Sequence, residues 1–180
     1  RFIPPLTIEE GELEEGLAGV DSLARVHALP LISASVLRAD TKAPVFKPYI
    51  VRRVNGVRVG VIGVTSPEAF AVAPESRSKS LSFAGLGESV KRWLPEVRKR
   101  ADVVVVAGQV SEEEALRLKE AFPKVDVVLR GIRDIERGVK QEGAGVVRAT
   151  RYGTGLGVLT VKTAKGGVAD SARALMPWER

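Results

Sequence analysis

Cysteine is absent from the 180 residues, and histidine occurs once, as His27. The first absence removes disulfides, thiol nucleophiles and thiolate zinc sites. The second removes any site that needs several imidazoles, whether a zincin motif or a histidine-rich dinuclear centre. Aromatic residues make up 5% of the chain, and the basic stretch from Arg130 to Arg151 contains none. A nucleic-acid surface stacks bases on aromatic rings beside its cations, so none is expected here. Nor does any run approach the roughly 20 apolar residues that cross a bilayer, and no signal-like segment opens the chain. Its first residue is Arg1 rather than Met, which leaves room for an upstream segment.

What remains is ordinary soluble composition, 44% hydrophobic and 28% charged, with a net charge of +6. The length suits one domain. Thr7 with Glu10 three residues on reads as a capping box, which predicts a helix to about Ala28. His27, near its end, suits a surface or capping role beside the helix dipole rather than catalysis. Pro30 ends that helix, and 31–37 reads as a buried strand. Tyr49 to Val54 and Val57 to Val64 flank Asn55-Gly56, the strongest short hairpin signal. A helix over 86–100, interrupted by Pro95, precedes ADVVVVA at 101–107, a β-branched run expected of a strand buried on both faces. Ser111 with Glu114 opens a further helix to about Phe122, and 125–129 is a second buried strand. That βαβ unit requires parallel strands. Strands near 145–150 and 156–163 follow, and then a polar tail. The class is α/β.

Several phrases, in order, resemble the metallophosphatase domain of the 5′-nucleotidase family. LPLISASV with VFKPYIVRRVNGVRVGVIGVTSPE, within 29–68, is similar to the family's "SAN", "pvfkPy" and N-G-x-x-V-G-x-I-G-x-T segments. ADVVVVAGQVSEEEA, VDVVLRGIRD and GVVRATRYGTGLGVLTV resemble its later strand and loop phrases. The resemblance implies a partial αββα sandwich with mixed sheets, a degenerate domain over 1–165 and a polar tail over 166–180. The family's amino-terminal strand, with its "DxH" and "GD" phrases, has no counterpart in this chain.

The family's enzymes use two metal ions held by carboxylate, His and Asn ligands. Carried over residue by residue, the Asn and His of "GNHE" fall on Glu10 and Gly11, and the Asn of "SAN" on Ser35. The His of "SH" falls on Gln109, and the pair in "GHxH" on Ile132 and Asp134. The expectation is a site without metal or other cofactor and a chain that is not an enzyme. A carboxylate-only site from Glu10, Glu12 and Asp134 is the one remaining metal arrangement. Arg130, Arg133 and Arg137 stand where the metal loop would be. They either hold an anion in place of the metal charge or pair with the acidic residues and close the site. Ser33, Ser35 and Thr65 have no histidine partner for a nucleophile triad.

The function expected is a structural or interaction subunit, assembled with other protein chains or with itself. A phosphate-, nucleotide- or anion-binding module is the alternative, and a residual metal-dependent phosphoesterase a third reading. The resemblance implies a periplasmic or cell-surface location.

Overall fold

The computed structural model describes residues 6–7, 22, 26, 28, 30–67, 80–131, 140–143, 145–148, 156–164 and 167–175. For residues 6, 140–143, 156–164 and 167–175 it describes the backbone alone.

The short strands β1 (Leu6–Thr7) and β2 (Leu31–Ile32) pair in parallel, with Leu6 opposite Leu31 and Thr7 opposite Ile32. Thr7 therefore belongs to a strand rather than to a helix cap, a correction its β-branched side chain makes intelligible. Ser22 and Val26 are helical, as the pattern predicts, and the rest of that helix and His27 lie outside the described residues. The strand expected over 31–37 is two strands, because the chain changes partners at Ser33–Ser35. Beyond it β3 (Val36–Arg38) pairs antiparallel with β6 (Leu81–Phe83).

The centre of the molecule is a six-stranded sheet in the order β4-β5-β7-β8-β10-β9. The first two strands, β4 (Tyr49–Val54) and β5 (Val57–Thr65), form the expected hairpin, with Asn55 and Gly56 at φ 48° and 86°. Two consecutive left-handed residues match the twist of the flanking strands. Next come α1 (Leu86–Arg100), β7 (Val103–Gln109), α2 (Glu112–Ala121) and β8 (Val127–Arg130). The capping box is present in full: Ser111 Oγ accepts from the Glu114 N–H, and Glu114 accepts from the Ser111 N–H. Strands β5, β7, β8 and β10 (Val146–Arg148) run parallel, while β9 (Lys140–Gly143) is antiparallel to β10. The βαβ unit is thus β7-α2-β8, as read from the sequence.

Both helices lie on one face of this sheet. Ile62, Val64, Val104, Val106, Val128 and Val146 meet Val90, Leu94, Val97, Ala115 and Leu118 there. Each buried aliphatic side chain contributes roughly 1.5–3 kcal/mol. The opposite face carries Val59, Val61, Val103, Val105, Ala107 and Val127. Two-residue alternation makes both faces apolar, which explains the unbroken valine run. At Gly108 a Cβ would run into the Val64 carbonyl, so β5 and β7 approach closely only because that position is glycine.

Where the sequence reading has a polar tail from 166, residues 167–175 are β12. They pair residue for residue with β11 (Leu156–Ala164) in an antiparallel hairpin. Hydropathy alone does not reveal a ladder held by backbone hydrogen bonds. Among the described residues no helix is long and apolar enough to cross a membrane.

Candidate functional site

Four parallel strands end together, and their last residues are polar: Thr65, Gln109, Arg130 and Arg148. Register places Thr65 beside Gln109, Gly108 beside Arg130, and Arg130 beside Arg148. The carboxyl edge of a parallel sheet is where open α/β folds bind ligands. Here it also collects the buried polarity. The buried polar and charged side chains among the described residues are Ser33, Ser35, Thr65, Ser66, Ser89, Gln109, Arg130 and Arg148. All but Ser89 lie at this edge or in the 33–35 segment bonded to it.

The hydroxyl cluster is built by strand-end hydrogen bonds. Ser35 Oγ accepts from the Thr65 N–H at 2.8 Å and donates to the Thr65 carbonyl at 2.9 Å. Ser33 Oγ lies 3.4 Å from Thr65 Oγ1 and accepts from the Val36 N–H at 3.3 Å. The Ser66 N–H donates to the Gln109 carbonyl at 3.1 Å, and Ser66 Oγ donates to Glu114 at 2.8 Å. The α2 capping box is therefore tied to the end of β5. Gln109 is nine-tenths buried, and its Oε1 has no hydrogen-bond partner among the described residues. A buried acceptor left without a donor costs about 1–3 kcal/mol.

The edge has two sides. By alternation, Thr65 and Gln109 continue the face of Val61 and Val105, whereas Arg130 and Arg148 continue that of Val128 and Val146, against the helices. Arg130 and Arg148 are 3% and 4% exposed. Glu112, at the start of α2, approaches Arg130 at 3.7 Å and is half exposed. That is long for a charge-assisted bond, which is usually about 2.7–2.9 Å.

Of the positions read from the sequence, Ser35 and Gln109 come together across Thr65, and Arg130 stands on the neighbouring strand's other face. Glu10, Gly11, Ile132, Asp134, Arg133 and Arg137 lie outside the described residues. Arg148, which no motif in the sequence singles out, is Arg130's register partner. Its only sequence signal is its position two residues after Val146. Among the described residues no group of three or more His, Cys, Asp or Glu side chains is placed so that it could hold a metal ion. The hydroxyls and one amide at this edge are not by themselves the ligands of a dinuclear centre, and the other positions carried over from the resemblance lie outside the described residues.

No family model matches the chain. It is 27% identical over 101 residues to a 2′,3′-cyclic-nucleotide 2′-phosphodiesterase/3′-nucleotidase of Yersinia enterocolitica, a match covering 49% of the chain and 16% of that protein. It is 25% identical over 175 residues to Endonuclease YhcR of Bacillus subtilis, covering 90% of the chain and 14% of the relative. The chain thus spans less than a quarter of the length of these curated relatives. Among solved structures it resembles the sulfate thiohydrolase SoxB of Thermus thermophilus, with a TM-score of 0.78, 24% identity, and coverage of 92% of this chain and 31% of that one. A 5′-nucleotidase precursor, also from Thermus thermophilus, aligns with a TM-score of 0.74 and 23% identity, over 95% of this chain and 38% of that one. The fold is that of these metallophosphatase-like proteins.

The expectation of a chain that is not an enzyme is corrected by these matches. The proteins it resembles are named nucleotidases, phosphodiesterases, an endonuclease and a thiohydrolase. The expectation counted imidazoles over a chain covering a fraction of those proteins. A centre assembled from many segments is not scored by one of them.

Proposed function

We propose that this chain forms the substrate-facing edge of a phosphoester hydrolase acting on nucleotide-class substrates, with Arg130 and Arg148 holding the anionic group. The observation that carries this reading is the gathering of buried polar side chains at the carboxyl edge of the sheet. Burying such groups costs free energy that an apolar edge would avoid, and a binding site is a reason to retain them. Arg130 and Arg148 are register partners on neighbouring strands, and a phosphoester held by both gains two attractions. Their planar forks match phosphate oxygens two at a time. In a water-poor edge they also stabilise the charge that grows as a phosphoester is attacked.

The contact between Arg130 and Glu112 favours a second reading, in which acidic groups hold the arginines and brace the edge. One experiment separates the two. The purified protein is incubated with a nucleoside monophosphate and a 2′,3′-cyclic nucleotide, with and without divalent ions, and released phosphate or opened ring is measured. The proposal expects turnover that falls at least tenfold in R130Q and in R148Q, with both variants folded. No turnover at high protein concentration, or turnover unchanged in both variants, removes it. Loss of stability without loss of turnover per folded molecule selects the bracing role.

Association with other chains, which the resemblance suggests, is read from intact mass under native conditions. A defined complex supports it, and a lone monomer removes it.

A further inference from the structure

At the opposite end of the sheet, where β7 and β8 begin, Leu94, Pro95, Arg98, Lys99 and Lys124 line a groove of about 320 Å³. Its floor is aliphatic. Leu94 is buried, while Pro95 is exposed inside α1. Residues 94, 95, 98 and 99 share one stripe of that helix, at i, i+1, i+4 and i+5 spacing. Lys124 reaches the same groove from the turn ahead of β8.

The neighbouring acidic groups are already engaged. Asp126 accepts from Arg98 at 2.6 and 3.2 Å and from the Val104 N–H at 2.7 Å. Asp102 is held by Arg58 through its side chain and backbone. Glu96 accepts from the Tyr49 hydroxyl at 2.6 Å and pairs with Arg100. Among the described residues no acidic group pairs with Lys99 or Lys124, and both are exposed. An aliphatic floor between two uncommitted ammonium groups is left.

We propose that this groove docks an acidic peptide segment of a partner protein. One aliphatic side chain of the segment lies on Leu94 and Pro95, and flanking carboxylates pair with Lys99 and Lys124. Charge complementarity selects an anionic occupant, and the floor selects one with an aliphatic side chain. None of the lining residues is aromatic, so a nucleobase finds nothing to stack on. A volume at the low end of the range for ligand pockets, roughly 300–1,000 Å³, suits a peptide side chain better than a large cofactor. This inference does not depend on the phosphoester reading, because the two places occupy opposite ends of the strands.

The test is fluorescence anisotropy of the purified protein with a labelled acetyl-Glu-Glu-Leu-Leu-Glu-Glu-amide peptide, run alongside its counterpart with glutamine for leucine. Saturable binding is expected that weakens at least tenfold in K99E/K124E, at least tenfold with the glutamine peptide, and steadily as salt is raised. Since both lysines are exposed, the double variant is expected to fold, which circular dichroism checks. K99A/K124A separates loss of attraction from added repulsion and is expected to weaken binding by a smaller factor in the same direction. R117Q, at an exposed position outside the groove, is expected to leave peptide binding unchanged. Binding that survives K99E/K124E, or that R117Q abolishes, overturns the proposal. So does a protein that ignores the peptide at millimolar concentration, whether or not it binds phosphatidylserine vesicles.

Discussion

The two ends of the central sheet handle charge in opposite ways. At the amino end, charges are matched one to one: Arg58 grips Asp102 with two side-chain hydrogen bonds, and Arg98 does the same to Asp126. Asp126 also accepts from the Val104 N–H, so the carboxylate fixes the strand start as well as its partner. At the carboxyl end, Arg130 and Arg148 are register partners of the same sign with Glu112 3.7 Å from Arg130, and Gln109 keeps a buried oxygen without a donor among the described residues. One end pairs opposite charges. The other gathers buried polar groups, and under the proposed function they are retained for binding.

The largest effect that sharpens this contrast is at Asp126. Replacing it with alanine leaves the Val104 N–H and the Arg98 guanidinium without their acceptor. Breaking a buried pair costs about 3–5 kcal/mol, and the one-third exposure of Arg98 lowers the expectation to about 2–3 kcal/mol. Urea unfolding measures it, and the folded fraction is expected to bind phosphate as the parent does. A loss of phosphate binding per folded molecule would break the separation of the two ends.

Next comes the arginine pair. R130Q and R148Q are each expected to lower phosphate affinity per folded molecule at least tenfold, about 1.4 kcal/mol, whatever stability each buried side chain contributes. Calorimetry and urea melts on the same samples separate the two.

A smaller effect, of opposite sign for stability, is expected at Gln109. Gln109→Leu removes a buried acceptor whose desolvation nothing among the described residues offsets. Stability should stay level or rise by up to about 1 kcal/mol, while turnover of nucleotide substrates falls. A stability loss beyond about 1 kcal/mol would show that the amide is structural.

The smallest effect is the pH response of Arg58 and Asp102. The Arg58 side chain and N–H hold the Asp102 carboxyl at about 2, below its ordinary 3.8. A depressed carboxylate contributes stability that is fully present above the unfolded value and lost as pH falls through the folded one. The contribution therefore fades between about pH 4 and pH 2. Thermal melts of Asp102→Asn should lack the part of the acid slope that the parent shows in that window. Because the pair is exposed, the difference should be small and weaken with added salt.

Local features of this fold are legible in the sequence. Asn55-Gly56 announces its hairpin, Ser111 with Glu114 its helix start, and the valine run its two-faced strand, each within a few residues. Thr7 is misread because the competing information, its pairing with Ile32, lies far along the chain. The second strand of the β11–β12 hairpin is hidden because its ladder rests on backbone pairing rather than on side-chain pattern. Most of the candidate edge is illegible, since Ser33 and Ser35 reach Thr65 across separations of 32 and 30 residues. Which side of the sheet Arg130 and Arg148 take depends on strand register, and a slip of one residue would reverse it. Only resemblance to known phosphatases points to Ser35 and Gln109.

The most direct measurement is a calorimetric titration of the parent protein and R130Q/R148Q with adenosine monophosphate and with adenosine. The parent is expected to bind the phosphorylated ligand at least tenfold more tightly, and the double variant, still folded, to lose the preference. Equal affinity for both ligands in the parent, or a preference unchanged in the double variant, would contradict the proposed function.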